Sequence, residues 1–126
     1  MLRLTTSDLR PMTSPPDLTF PDFLRVDIRV GRVLTAAPNP KALKPAYVLT
    51  IDFGDDLGVK TSSAQLTVHY TPEELVGRLV VAVVNFPPKR VAGIKSEVLV
   101  LGVPDRDGAV VLLAPTHDVP LGGRMY

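Results

Sequence analysis

The stretch that decides the fold runs from Val59 to Asn85, VKTSSAQLTVHYTPEELVGRLVVAVVN. Near its middle, Thr71 is a good helix N-cap, Pro72 suits the first helical position, and Glu73 and Glu74 favour the positive end of a helix dipole. Gly77 can close the C-terminus. A single short helix is therefore predicted between two extended segments. Before it, Val59 to Val68 reads as a strand. After it, Arg78 to Asn85, RLVVAVVN, is a nearly continuous branched apolar run, as expected of a strand buried on both faces or at the centre of a barrel.

Towards the N-terminus, Tyr47, Leu49, Ile51 and Phe53 alternate with Val48, Thr50 and Asp52, and Gly54 to Gly58 turns the chain into Val59, so these two segments form a hairpin. Further back, Val26, Ile28 and Val30 alternate with Asp27, Arg29 and Gly31, which predicts a first strand over 26–36. The connecting segment APNPKALKP, residues 37–45, holds three prolines and two lysines, too broken for a helix and too polar for a core. It is a basic loop.

Towards the C-terminus, NFPPKRVAGIKSEVLVLG, Asn85 to Gly102, carries Lys89, Arg90 and Lys95 with no acid until Glu97. Pro87 and Pro88 cannot donate ladder hydrogen bonds, so the basic side chains are expected on a stiffened loop before a fifth strand over about Gly93 to Val103. A turn at Pro104 to Gly108 leads to an extra strand over Ala109 to Ala114, and the Gly- and Pro-rich tail to Tyr126 lies outside the basic plan.

Three strands, a short helix and two further strands are the layout of an all-β, five-stranded oligonucleotide/oligosaccharide-binding barrel. In that architecture ligands meet strands two and three, walled by the loops between strands one and two and between strands four and five. Here those are the two basic loops.

Composition narrows the functions available. A chain of 126 residues with 45% hydrophobic content is one domain, able to remove ~65% of its unfolded surface from water. It has no cysteine, which excludes disulfides, thiolate zinc sites and a thiol nucleophile, and fits the cytoplasm. Net charge is only +1, so any polyanion must be met by local clustering. The charge is in fact segregated: Arg29, Arg32, Lys41 and Lys44 fall between Ile28 and Ile51 without an acid, while Asp52, Asp55, Asp56, Glu73 and Glu74 gather elsewhere. Residues 1–19 are rich in Ser, Thr and Pro and are expected to be a flexible arm before a domain over 20–126, with Met12 an alternative start. No apolar run reaches signal-peptide or membrane-span length.

Lys41, Lys44, Lys89, Arg90 and Lys95 are the side chains suited to phosphates, Lys as a point charge and Arg as a fork. Ser62, Ser63, Gln65, Asn85 and Ser96 supply uncharged donors and acceptors beside them, suited to ribose, base edges or a peptide backbone. Among the aromatics Phe53 is assigned to the core. Tyr47 and Phe86 are assigned to the groove, Phe86 for base stacking or an apolar peptide side chain. His69 and His117 lack metal-ligand spacing, and no carboxylate is paired with a base or nucleophile. No metal, cofactor or catalytic residue is expected, and the chain is read as a non-enzyme.

From Phe23 to Tyr126 the chain resembles the CsaA family, small proteins described as export-related chaperones within a wider group of tRNA-binding barrel domains. The segments that carry the resemblance are DFLRVDIRVGRV, KPAYVLTIDFG, GVKTSSAQLTVHYTPEELVGRLVVAVVNFPPKRVAGIKSEVLVLG and VVLLAP. The resemblance implies a barrel with added terminal elements, a homodimer, no enzymatic activity, and two ligands, unfolded precursor polypeptide and tRNA. A translocation motor stands as a further candidate partner, and a dedicated tRNA-binding accessory factor as the alternative function. The tRNA-domain pattern of an Asn, a basic residue, Gly and Ser matches Asn85, Lys89, Gly93 and Ser96. Ala64-Gln65 and Val98-Leu99 stand where many tRNA-binding relatives have Ser-Gly and Gly-Met, and in this follow the CsaA pattern. For the dimer, the tail offers Leu112, Leu113, Leu121 and Tyr126 for burial against a partner.

Overall fold

The structure is a computed structural model that describes residues 15–126. The expected arm over 1–19 and the start at Met12 thus lie largely outside the described residues, and only 15–19, all exposed, can be placed. The signals around Thr71 act as anticipated. Its hydroxyl accepts from the Glu74 amide at 3.2 Å and the Glu74 carboxylate accepts from the Thr71 amide at 3.0 Å, a reciprocal cap on the helical turn Pro72–Leu75. The bond from the Thr71 amide, followed by the Thr71 hydroxyl, holds the Glu74 carboxyl below the usual carboxylate range.

The elements in chain order are α1 (Phe20–Leu24), β1 (Ile28–Pro38), β2 (Tyr47–Asp52), α2 (Gly54–Leu57), β3 (Val59–Ala64), α3 (Pro72–Leu75), β4 (Leu79–Val83), β5 (Lys89–Val91), β6 (Ile94–Ser96), β7 (Leu99–Val100), β8 (Gly102–Pro104) and β9 (Val110–Leu112). An antiparallel sheet in the order β3-β2-β1-β4-β7 wraps around the core. The central strand β1 makes this possible by changing partners. Residues 28–32 pair with β4 and 32–38 with β2, with an irregularity between Val33 and Thr35 that bends the strand. At the bend Gly31 is required, because a Cβ there would stand 2.5 Å from the Ile51 side chain and 2.8 Å from the Phe53 ring.

Main-chain and side-chain hydrogen bonds complete the closure between β3 and residues 96–98. The Glu97 amide donates to the Thr61 carbonyl at 2.8 Å, the Ser63 amide to the Ser96 hydroxyl at 3.1 Å, and the Ser62 hydroxyl to the Val98 carbonyl at 3.1 Å. The result is the anticipated all-β barrel, nearly closed. Its core holds Phe53, Leu49, Ile51, Leu75, Val33 and Val80, all essentially inaccessible, and each such burial stabilises by about 1.5–3 kcal/mol.

Several local expectations need correction. Helical turns number three among the described residues rather than one, because Thr19 caps α1 with Pro21 in its first turn, and the Gly54–Gly58 reversal closes as the single turn α2. The basic segment is not a loop with one strand behind it. Lys89–Val91 is itself paired with β6, and the expected fifth strand is broken into β6, β7 and β8 where Glu97 and Val98 turn to bond β3. Strand β3 stops at Ala64, and Val68 lies exposed beyond it. The tail, expected as an addition to the five-strand plan, extends the sheet along β1: the Gly122 amide donates to the Val30 carbonyl, Val30 to Gly123, and Met125 to Ile28.

Candidate functional site

Both basic segments are built to project from the barrel's rim, and they meet. The β1–β2 loop is closed at its base by the Asn39 amide donating to the Ala46 carbonyl at 2.9 Å. The β5–β6 hairpin turns through Ala92 and Gly93 at φ 47° and 82°, the left-handed pair that a two-residue turn requires. Across 53 residues of sequence, the Asn39 side chain donates to the Ala92 carbonyl at 3.3 Å. Lys41 lies along Gly93, where a Cβ would stand 3.2 Å from its Cδ.

Between the two tips and β3 opens a cleft of about 610 Å³ whose walls include Lys41, Lys44, Ser63, Gln65 and Ala92. Beside it lies a smaller apolar socket of about 310 Å³ formed by Phe86, Pro87, Pro88, Val98 and Leu99, with Lys89, Ser96 and Glu97 at its edge. The Ser63–Ser96 hydrogen bond joins a wall of the first to a wall of the second.

The rim is predominantly cationic, its Glu97 being paired with Lys60 at 3.9 Å. Lys41, Lys44, Lys89, Arg90 and Lys95 stand outside every ion pair among the described residues. Arg90 and Lys95 face each other directly in the β5–β6 register, a juxtaposition of like charges that destabilises a hairpin. Such a cluster attracts a polyanion, and the polyanion relieves the repulsion.

The anticipated side chains divide into two groups. Lys41, Lys44, Ser63 and Gln65 surround the cleft, Phe86, Lys89 and Ser96 the socket, and Arg90 and Lys95 stand exposed on the hairpin. Tyr47 and Ser62, expected in the groove, instead point into the barrel. Tyr47 shares the inward phase of Leu49 and Ile51 and donates its hydroxyl to the Tyr70 carbonyl at 2.7 Å, and Ser62 pairs with Leu49 and is fully buried. The amide of Asn85 is engaged structurally, accepting from the Asp27 amide at 3.0 Å and donating to the Arg25 carbonyl at 2.7 Å, so that it straps α1 to the barrel. Two residues of the site were not anticipated, Asn39 and the fully exposed Leu43 at the cleft wall. An apolar side chain in an otherwise polar loop was the available signal for Leu43.

His69 bonds the Asp105 carboxylate at 2.6 Å, and His117 stands in an exposed bend. That contact, with the Ala109 amide, holds the Asp105 carboxyl below its ordinary range. No group of three metal-ligating side chains occurs among the described residues, and no helix among them is long and apolar enough to cross a membrane.

Comparison with known proteins places the chain in a family. Residues 28–124 match the family model described as "Putative tRNA binding domain". Among sequences, the methionine–tRNA ligase of Porphyromonas gingivalis is 40% identical over 109 residues, covering 86% of this chain but only 16% of the ligase. That of Pyrococcus abyssi is 41% identical over 106 residues, 84% of this chain and 14% of the ligase. The likeness to these enzymes is therefore confined to a small part of them. Among solved structures, chaperone CsaA of Bacillus anthracis is 53% identical with a TM-score of 0.79, over 87% of this chain and 99% of that one. The CsaA chaperone protein of Picrophilus torridus is 47% identical with a TM-score of 0.81, over 87% and 100%. The chain accordingly belongs to the tRNA-binding-domain family and, within it, to the CsaA family.

Proposed function

We propose that this chain is a non-enzymatic binding protein whose cationic cleft grips folded RNA of the tRNA class and whose apolar socket receives apolar side chains of unfolded precursor polypeptides. The observation that carries the RNA role is the convergence of two basic tips, distant in sequence, whose cations have no carboxylate partners among the described residues. Phosphates positioned on such a rim need no base contacts, which suits recognition of RNA by shape. The polypeptide role is supported by the socket walled by Phe86, Pro87 and Leu99 and by the exposed Leu43, together with the likeness to CsaA chaperones. A part in protein export in the cytoplasm, with a translocation motor as partner, belongs to the same reading.

The working unit is a homodimer. Leu18, Phe20, Leu24, Leu113, Met125 and Tyr126 are exposed large apolar side chains on the terminal elements, and Leu113 and Met125 line an apolar groove of about 470 Å³ together with Val30 and Val81. A second copy would cover them, doubling the cationic rims available to one RNA. Sedimentation across a dilution series tests this, and a strict monomer at micromolar concentration would exclude it.

The decisive test of the RNA role is tRNA affinity over a salt series. If all five cations meet phosphates, log affinity falls against log salt with a slope of about −3.5 to −4.5. Affinity indifferent to salt would rule out the phosphate mechanism. An apolar peptide measured in parallel should bind with little salt dependence.

A further inference from the structure

We infer that Asn39 is the positioning residue that fixes the two basic tips at a set spacing, so that the cations of both meet one ligand without first being ordered. The identity of that ligand rests on the RNA reading above. Asn39 is 8% exposed although Pro40 and Lys41 beside it are exposed, and with Ser62 it makes up the buried polar residues among those described. Every polar group it has is used. Its amide donates to Ala46 at 2.9 Å, its carbonyl accepts from Ala42 at 3.2 Å, its Oδ1 accepts from the Lys41 amide at 3.1 Å, and its Nδ2 donates to Ala92 at 3.3 Å. One side chain thereby shapes the first loop and holds the tip of the second.

The second tip needs holding. β5 and β6 form a separate two-stranded sheet, and such a hairpin is only marginally stable alone. Ala92 is the one non-glycine residue with positive φ among those described, a left-handed conformation that disfavours a side chain. Arg90 and Lys95 repel across the pair. Each of these pushes the tip to open, and the Asn39–Ala92 bond, with Lys41 lying on Gly93 and the Arg90 guanidinium donating to the Gly93 carbonyl at 3.3 Å, opposes them.

Pre-ordering has a signature that direct contact lacks. Releasing the tip lowers affinity, because the loops must then be ordered on binding, but the phosphates finally neutralised are the same. Removing a cation that touches phosphate lowers the salt slope itself. In the full chain, Asn39→Ser keeps a short acceptor near the Lys41 amide but cannot reach Ala92, and Lys44→Ala, at the wall of the same cleft, serves as the contact control. Amide hydrogen exchange at 90–95 and tRNA binding over a salt series are measured for both.

For Asn39→Ser, exchange in the hairpin should quicken and affinity should fall about tenfold at every salt with the slope unchanged. For Lys44→Ala, exchange should stay as it is and the slope should lose about 0.7–0.9. Unchanged exchange in Asn39→Ser, or quickened exchange with unaltered affinity, would overturn the inference. Should the wild-type chain bind no tRNA at any salt, the RNA reading fails, and the exchange comparison alone upholds or overturns the clamp. If Asn39→Ser does not fold, the pair Asn39→Ser/Ala92→Gly, which relieves the left-handed strain without restoring the bond, is read against Ala92→Gly by the same criteria.

Discussion

Two sets of basic residues occupy this barrel and have opposite fates. On the flank where the tail joins β1, Asp27 holds Arg29 at 2.6 Å and Arg124 at 3.5 Å, and Asp118 holds Arg32 at 3.3 Å. These guanidinium groups also bond carbonyls of Gly122, Gly77 and Leu24, tying the termini to the sheet. On the rim, Lys41, Lys44, Lys89, Arg90 and Lys95 have no acid among the described residues, and two of them face each other. The flank uses charge as mortar and the rim leaves it open to a ligand. A net charge of +1 conceals this division, because it sums over both sets.

The comparison is broken most severely by reversing the rim. Lys89→Glu with Arg90→Glu should lower tRNA affinity by about 100-fold or more at moderate salt while leaving the melting temperature and capture of an apolar peptide nearly unchanged. Equal loss of both ligands would mean one shared site rather than a cleft beside a socket. Next in size is Lys95→Glu, which places a carboxylate opposite Arg90. Affinity for tRNA should fall about tenfold while the hairpin gains about 0.5 kcal/mol, seen as slower amide exchange. A slower-exchanging hairpin that bound tRNA as well as before would remove Lys95 from the interface.

How much of this was legible in the chain depends on how local each cause is. The helix at Thr71 and the alternating strands around it are written in neighbouring residues, and the barrel followed from their order. The convergence of the two tips was legible only through that fold, since no local pattern links Asn39 to Ala92. Tyr47 was misassigned although its phase matches Leu49 and Ile51, because binding barrels stack ligands on exposed rings and the partner that holds its hydroxyl inside, the Tyr70 carbonyl, lies 23 residues away. Ser62 could be placed only by knowing that it registers with Leu49 on the inner face. For Asn85, the bonds to Arg25 and Asp27 span 60 and 58 residues, beyond any periodicity argument. The break at Glu97 was hidden for the same reason, since an apolar run gives no sign that the chain will leave its ladder to close on Thr61.

The flank supplies the reciprocal test. Asp27→Asn removes the acid shared by Arg29 and Arg124, and the partly exposed pair, screened by water, should cost about 1 kcal/mol of stability, read as a lower denaturant midpoint. Because Arg29 is held above its already high ordinary range chiefly by its bond to Asp27, no proton is gained or lost near neutral pH and the loss should be flat from about pH 6 to 9. The salt slope for tRNA should not move. A changed slope would mean that the flank also meets RNA, and the division between the two regions would fail.

The smallest effect concerns a third pair, which anchors the β8–β9 hairpin rather than a ligand. Asp105 is held below its ordinary range first by the His69 bond and then by the amides of Ala109 and Asp107. A carboxyl depressed in the folded state binds protons more readily when unfolded. Its contribution is therefore complete above the unfolded value, near 3.8, and fades as pH falls through the lower folded value. Asp105→Asn should lower the melting temperature slightly at neutral pH and flatten its decline below about pH 4, with tRNA affinity at neutral pH untouched. Loss of RNA binding in this variant would show that the β8–β9 hairpin supports the rim across the barrel, and that the charges cannot be divided as cleanly as their partners suggest.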